Sequence, residues 1–455
     1  MPRTPSPTKR RRVESTADDD DIDNTDEVRN EATPRPTLRS RELSSHDSTS
    51  SNADNHVFSA RDPDSISRTS SQSTRSTRSS RSSQSQNSRS QQSPVKRDLA
   101  MRFARDLPIQ YRSLSVAPKN VQDLAEQLAE FEGKQGIMPE CLQSTIQAYR
   151  SPSEPIKDYM FDKRRDSADS DLRSLNRELE RLLEVRDNTL ECNSRARVFH
   201  EVEWNETVHS PMLRLVTKRF ATLACRNLCV RLPSPPSSAV FPMLIIFLDI
   251  RTQTSLAPRW ANTEVPDSRV DYGIFVAPKP DSDLYSHMFT YIQQRATATG
   301  SELGQINPLL DIDIDRPLAV AIETKRLAAG VEKANTQLAS FGRSMLRFKH
   351  DVATFLAKTR TRTQARTTKT CDAPFVLPLV IVIGVSWEVD FMVRENGLAV
   401  IYGPVSLGST QTLTNCYRLY RSLDVLFQWS HEHCVDWWTG MLQPSNESEA
   451  VPKYK

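Results

Sequence analysis

Apolar residues form several continuous runs in the C-terminal half of the chain, and polar or turn residues separate these runs. Short runs rich in Val, Ile, Leu and Phe are typical of strands that are buried on both faces. The pattern predicts strands in VFPMLIIFLDI (240–250), VDYGIFVAP (270–278), LAVAIETK (318–325), FVLPLVIVIGVSW (375–387) and GLAVIYGPV (397–405).

A second spacing, with apolar residues three or four positions apart, predicts helices between these runs. It covers residues 200–220, where a proline predicts a kink or restart, and residues 329–358 and 413–442. Residues 278–316 are interpreted as a loop-rich insertion. Helices that alternate with buried strands predict an α/β domain over residues 197–441.

Three segments lie outside this predicted domain. Residues 99–196 contain an amphipathic helix, in which four leucines and Val185 share one stripe, and we interpret them as a helical connector. The same stripe could bind a coiled-coil partner, but two heptads favour packing onto the domain. Residues 1–98 are dominated by Ser, Arg, Asp, Thr, Gln and Pro and predict a disordered tail, and residues 442–455 predict a flexible C-terminal tail.

The N-terminal tail contains a short basic cluster, formed by Lys9, Arg10, Arg11 and Arg12. An accessible cluster of this kind predicts a nuclear import signal, with an import receptor as its partner. The import signal would make this a nuclear protein. The alternative interpretation is a solvated run of charges without a receptor.

Composition narrows the class of protein further. Only 37% of the residues are hydrophobic and the mean hydropathy is −0.55, as expected for a chain that is globular only in part. The net charge of +3 comes from 60 basic and 57 acidic residues, so any basic surface must be local. Seven scattered cysteines predict reduced thiols in an intracellular protein. We expect neither a secretory signal nor a membrane span, because the apolar runs are shorter than about 18–20 residues.

The strand LAVAIETK ends in charged residues, and their alternation suggests an active site. Successive side chains of a strand point to opposite faces, so Glu323 and Lys325 share one face while Thr324 points to the other. If VDYGIFVAP is the preceding strand of an antiparallel pair, its start lies opposite the end of LAVAIETK. That pairing places Asp271 beside Glu323. Two carboxylates and a lysine would then converge.

Two adjacent carboxylates supply the hard oxygen ligands that suit Mg²⁺ or Mn²⁺. A bound metal would polarise a phosphate and activate a water, and a lysine would stabilise the developing charge, which predicts phosphodiester hydrolysis. The three aspartates of DIDIDR (311–316) are alternative ligands, although they precede LAVAIETK at its other end. For the whole set, the alternative is a surface ion pair that caps a core strand.

These segments, taken in order, resemble the PD-(D/E)XK nuclease superfamily, in particular its large fungal branch of nuclease-like proteins. The resemblance covers residues 198–440 and rests on EVEWNETVHSPML, RVDYGIFV, LAVAIETKR, ANTQLASF, LPLVIVIGVSW and the Trp-rich last helix. It departs from the family name at Val270, which replaces the proline. It implies a restriction-endonuclease-like core, in which a mixed central sheet is flanked by helices. It also implies Asp271 and Glu323 as the metal ligands and Lys325 as the catalytic lysine.

The resemblance implies two further catalytic residues on helices. Many members carry a polar residue on the helix after the lysine, which is Gln337 here. Many also carry a glutamate on the first core helix. Glu201 is the candidate, because it shares an apolar stripe with Trp204 whereas Glu203 points away. A first-turn glutamate that is favoured by the helix dipole is the alternative for Glu201.

Basic residues follow the predicted active-site strand and predict contacts with a nucleic-acid backbone. The candidates are Arg326, Arg343, Arg347 and Lys349. We expect a nuclease that acts on DNA rather than RNA, and a homodimer would suit cleavage of both strands. The alternatives are a catalytically inactive nuclease-like domain that binds DNA or protein in the nucleus, and an interaction protein that acts through its Ser/Arg tail.

Overall fold

The structure is a computed structural model that describes residues 93–150, 154–162, 171–194, 199–228, 256–262, 269–300, 305–309, 315–363 and 374–443. Several predictions fall outside the described residues. They concern the basic cluster at 9–12, the strand VFPMLIIFLDI, the first two aspartates of DIDIDR and the C-terminal residues 444–455.

Helices and strands alternate through the described residues. The helices are α1 (Pro94–Arg102), α2 (Lys119–Glu130), α3 (Gln143–Gln147), α4 (Leu172–Asn193), α5 (Glu201–Trp204), α6 (Ser210–Thr217), α7 (Asp283–Thr299), α8 (Val331–Thr363) and α9 (Leu413–Leu442). The strands are β1 (Ile109–Arg112), β2 (Met138–Pro139), β3 (Phe161–Asp162), β4 (Leu223–Asn227), β5 (Tyr272–Val276), β6 (Leu318–Lys325), β7 (Val376–Ile383), β8 (Ser386–Glu395) and β9 (Leu398–Ser409). A π-helical segment, Asn205–His209, joins α5 to α6.

Seven strands form one mixed sheet in the order β1-β9-β8-β7-β6-β5-β4. The pairs β1/β9 and β6/β7 are parallel, and the other neighbouring strands are antiparallel. All eight residues of β6 are buried, which explains why its sequence is an almost unbroken apolar run. The mixed sheet and its flanking helices confirm the fold class predicted from the sequence.

Helical segments pack on both faces of this sheet. Side chains alternate along β8, so Met392 and Trp387 point to opposite faces. A Cβ atom added to Gly342 of α8 would lie 2.7 Å from the sulfur of Met392, so α8 covers the first face closely. His209, before α6, makes an edge contact with the Trp387 ring, with 5.6 Å between centroids. The end of β6 therefore lies between α8 and the α5–α6 segment.

The helical-connector interpretation of residues 99–196 is incomplete. Helix α1 already begins at Pro94, where Ser93 caps it. Strand β1 then pairs in parallel with β9, with Ile109 opposite Ala399, and forms an edge of the main sheet. The sequence IQYR gave no strand signal because only its first residue is fully buried.

Three further elements were missed from the sequence. Strand β4 (LACRN) is short and half-buried, and helix α7 lies in the predicted loop-rich insertion. The third missed element is β8. The run FVLPLVIVIGVSW was interpreted as one strand, but it contains all of β7 and the start of β8. The chain turns at Gly384, whose φ of 55° suits a residue without a Cβ atom.

A substitution at Gly273, in β5, tests how tightly the side chains of β5 and β6 pack around it. We expect Gly273→Ala to lower the free energy of unfolding by about 1–3 kcal/mol. The added Cβ would lie 2.5 Å from the Phe275 ring and 2.6 Å from a methyl group of Leu318. Chemical denaturation measures the change. Gly133→Ala is the matched control, since its Cβ would meet no atom within 4 Å. Equal stability of the two variants would show that the Phe275 ring moves aside freely.

Candidate active site

The antiparallel pair β5/β6 brings the predicted carboxylates together. Tyr272 lies opposite Ile322, so Asp271, one residue earlier, comes beside Glu323. The Asp271 backbone N–H donates to the carbonyl of Ile322 at 3.0 Å and extends the pairing by one bond. Asp315 precedes β6 at its other end, so the hairpin favours Asp271 over that alternative.

Hydrogen bonds to Thr324 hold the Asp271 carboxylate. Its Oδ2 atom accepts from the Thr324 backbone N–H at 2.8 Å and from the Thr324 hydroxyl at 2.6 Å. Asp271 is only 8% exposed. Two donors on one oxygen restrict rotation of the carboxylate.

Glu323 and Lys325 form a buried ion pair on the same face of β6. Lys325 Nζ donates to Glu323 Oε1 at 2.5 Å and to the Thr324 carbonyl at 2.6 Å. Glu323 is 1% exposed, and its Oε2 atom has no hydrogen-bond partner among the described residues. A buried carboxylate oxygen without a donor is costly, which argues against a simple surface ion pair.

The electrostatics follow from burial and from the adjacent carboxylates. Burial, and next the neighbouring Asp271, raise the pKa of Glu323, although Lys325 opposes the shift. Burial alone would lower the pKa of Lys325, but Glu323 and Asp271 raise it above the usual value. The lysine is therefore charged at neutral pH. The two carboxylates are destabilised as a pair of anions, and an additional cation would relieve that repulsion.

Glu201 lies at the edge of this cluster, as the helical stripe predicted. It is the first residue of α5, and its Oε1 atom is 3.5 Å from Lys325 Nζ. Its side chain is 41% exposed, so it faces the solvent side of the lysine. Glu203 instead accepts from the backbone N–H of His200 at 2.7 Å and caps the helix.

Gln337, on α8, points towards the strand that carries Asp271. Its Nε2 atom donates to the carbonyl of Arg269 at 3.5 Å, a long contact. Its Oε1 atom is buried and has no hydrogen-bond partner among the described residues. Gln337 thus contacts the backbone two residues before Asp271, but no direct contact joins it to Glu323 or Lys325 in the described hydrogen bonds.

Residues 146–435 match the sequence profile of the PD-(D/E)XK nuclease superfamily, a match that covers more than half of the chain. The chain belongs to this superfamily. The resemblance noted in the sequence assigns the D/E-x-K motif to Glu323-Thr324-Lys325, which lie at the end of β6. A comparison with curated proteins gave no match. None of the described helices is long and apolar enough to cross a membrane.

The donor set of the PD-(D/E)XK site fits a hard divalent cation. Asp271 and Glu323 are adjacent, and Glu323 Oε2, which has no hydrogen-bond partner among the described residues, would supply a buried oxygen ligand. No group of three or more His, Cys, Asp or Glu side chains suited to a metal occurs within the described residues. Two carboxylates, with water and phosphate oxygens completing the shell, are typical for Mg²⁺.

The structure corrects the prediction for two of the basic residues on α8. Arg343 is 2% exposed and donates through Nε to the carbonyl of Asp106 at 3.2 Å. Lys349 is 3% exposed. Neither side chain lies on a surface where a phosphate backbone could contact it. The segment before β1 covers Arg343, an arrangement that the charge pattern could not reveal.

Lys349 lies in a cage of three aromatic rings instead. Its Nζ atom is 4.4, 4.2 and 4.0 Å from the ring centroids of Phe375, Trp437 and Trp438. It has no hydrogen-bond partner among the described residues. Burial lowers the pKa of this lysine to about 7, although Cys434 opposes the shift.

The other two basic candidates stay nearer to solvent. Arg347 pairs with Asp106 at 2.8 Å and its side chain is 27% exposed, so part of its charge is already compensated. Arg326 follows Lys325 directly and donates to the carbonyl of Phe199 at 2.7 Å. Of the four, Arg326 is closest in sequence to the carboxylate cluster.

Sequence reasoning did not find the residues behind the cluster. Asn205 and His209 are buried at 7% and 1% exposure, and both belong to the π-helical segment. The sequence contained one indication of their position, because Glu201, Asn205 and His209 are spaced four residues apart. Three polar residues in such steps mark one side of a helix.

Proposed function

We propose that this PD-(D/E)XK domain hydrolyses phosphodiester bonds of nucleic acid with Mg²⁺ or Mn²⁺ bound by Asp271 and Glu323. The observation that carries the proposal is the buried carboxylate pair beside Lys325, in which Glu323 Oε2 has no hydrogen-bond partner among the described residues. Such an arrangement is unfavourable in a protein without a use for it, because it places like charges together in a region of low dielectric.

Each residue has a separate task in this proposal. A divalent cation held by the two carboxylates would polarise the scissile phosphate and lower the pKa of a bound water. The Lys325 ammonium is fixed by Glu323 and the Thr324 carbonyl, so it can stabilise the negative charge that develops on a phosphate oxygen. Glu201, on the solvent side, can accept a hydrogen bond from an attacking water.

The substrate, location and assembly belong to the same proposal. The basic cluster at residues 9–12 supports recognition by an import receptor and a nuclear location, where DNA rather than RNA would be the substrate. Arg326 would contact the phosphate backbone beside the cluster. A homodimer would let one site per chain cut each strand of a duplex. Membership of the fungal branch stays a prediction from the sequence.

Cleavage of labelled nucleic acids tests this function. The full chain should cut at least one of single-stranded, double-stranded and branched DNA or RNA in Mg²⁺ or Mn²⁺, and should cut none in EDTA. Binding of the same substrates is measured in parallel by fluorescence anisotropy. Binding without cleavage in either metal would favour an inactive nuclease-like domain that recognises nucleic acid. Neither binding nor cleavage would contradict both functions.

A further inference from the structure

A buried set of polar side chains lies behind the carboxylate cluster, and the backbone of the helical segment explains how it gets there. Pro211 has no N–H group, so it cannot bond to the carbonyl of Thr207 four residues earlier. That carbonyl accepts from Asn188 Nδ2 at 2.9 Å instead. The Ser210 N–H reaches back five residues to the carbonyl of Asn205, which is the π-helical hydrogen bond. π-Helical turns of this kind occur often at functional sites.

The π-helical segment brings two buried polar side chains into contact. Asn205 Oδ1 and His209 Nδ1 lie 2.9 Å apart, and His209 Nε2 lies 3.1 Å from the carbonyl oxygen of Gly384. A carbonyl oxygen only accepts, so Nε2 must carry a proton. Burial lowers the pKa of His209 to about 4, which makes the ring neutral at pH 7. Nδ1 is then an acceptor, and the amide must donate to it.

A second contact leads to the same orientation of the amide. The Thr324 hydroxyl oxygen is 2.9 Å from the same Asn205 amide atom and 2.6 Å from Asp271 Oδ2. The hydroxyl has one proton, and the carboxylate needs it as a donor. The amide must therefore donate to Thr324 as well. Both contacts are made by the Oδ1 position. The oxygen and nitrogen of an asparagine amide are assigned from such networks, and exchanging the two, so that the nitrogen takes the Oδ1 position, satisfies both neighbours.

The result is a hydrogen-bond network with one direction. With this assignment of the amide, the Asn205 nitrogen donates to His209 Nδ1 and to Thr324, and Thr324 donates to Asp271. The network is anchored at Gly384, whose carbonyl accepts from His209 and whose N–H donates to the carbonyl of Lys325 at 2.7 Å. It therefore connects the aspartate of the motif to the turn that holds the backbone of the lysine.

We propose that Asn205, His209 and Thr324 are positioning residues that fix the orientation of the Asp271 carboxylate for a divalent cation. The inference rests on the proposed function, because it assigns Asp271 to that cation. The three residues do not touch the substrate in this proposal. They act through Asp271, and loss of a group that orients a metal ligand typically lowers metal affinity by about 10–100-fold.

The decisive measurement is Mn²⁺ affinity of the full chain, by titration followed with electron paramagnetic resonance. Thr324→Val keeps the side-chain shape and removes the donor to Asp271, so we expect affinity to fall by about tenfold or more. Thr324→Ser restores the hydroxyl and should bind nearly as the wild type does. Asn205→Asp removes both amide donors and should also weaken binding, which provides a second test if Thr324→Val does not fold.

A matched control separates positioning from general destabilisation. Tyr272 OH donates to the carbonyl of Asn205 at 2.9 Å, next to the network but not within it. The same hydroxyl lies 2.9 Å from Ser210 Oγ. Tyr272→Phe therefore removes both buried hydrogen bonds from the same region, and we expect it to lower the melting temperature without changing Mn²⁺ affinity. Equal affinity losses in Tyr272→Phe and Thr324→Val would overturn the positioning role.

Further outcomes distinguish this inference from the proposed function. If the wild type binds Mn²⁺ and Thr324→Val binds equally well, the positioning role is overturned while the nuclease function stands. If the wild type binds no Mn²⁺, both the positioning role and the metal-dependent nuclease function are overturned. Nitrogen-15 NMR of the imidazole gives an independent test, since we expect the neutral tautomer of His209 with its proton on Nε2. A proton on Nδ1 would overturn the direction of the network.

Discussion

Lys325→Met and Glu323→Gln should each lower metal-dependent cleavage by roughly 10²–10⁴-fold. Methionine keeps the length of the lysine and removes the charge that would stabilise the developing phosphate anion. Glutamine keeps the shape of the glutamate and removes the negative charge that would hold the cation. We expect Lys325→Met to retain measurable Mn²⁺ binding and Glu323→Gln to lose most of it. Single-turnover cleavage and metal titration measure the two effects separately.

The controls for these variants make the same chemical changes at exposed positions of another helix. Lys119→Met and Glu126→Gln alter α2, and both residues are exposed. Neither control should change the cleavage rate by more than about twofold, since surface substitutions of this kind have small effects. If Lys325→Met or Glu323→Gln folds normally and still cleaves at the wild-type rate, Glu323 and Lys325 are not catalytic, and their ion pair only caps the end of β6.

Replacing the caged lysine should change how stability depends on pH. We expect Lys349→Met to raise the free energy of unfolding at pH 7, because it removes an amine that has no hydrogen-bond partner in the described part of the chain and methionine fills a similar space. The gain should shrink as the pH rises. The pKa of Lys349 is about 7 in the folded chain, against 10.5 for an ordinary lysine. Between these values the unfolded chain binds a proton that the folded chain does not, so wild-type stability increases with pH.

Denaturant unfolding of both proteins between pH 7.5 and 9 measures this effect. The difference between them should fall by roughly 2 kcal/mol over that interval. Lys333→Met, an exposed lysine at the start of α8, is the control and should show no such trend. A difference that does not change with pH would mean that the rings of Phe375, Trp437 and Trp438 keep the amine charged.

The sequence by itself determined the local relations within the site. The two-residue period of a strand placed Glu323 and Lys325 on one face, and antiparallel pairing placed Asp271 beside them. The helical period selected Glu201 over Glu203. These inferences succeeded because each depends on backbone geometry within one element or one pair of neighbouring strands.

Only the tertiary structure decided which polar residues are buried and what they contact. Arg343 and Lys349 look like a basic surface because their sequence neighbours are charged. Their burial depends on the segment before β1 and on α9, which are distant in the chain. The contact between Asn205 and Thr324 likewise joins residues on separate elements. Local patterns report the period of a helix or strand, but they do not specify which other element covers a given face. That choice comes from packing of the whole domain.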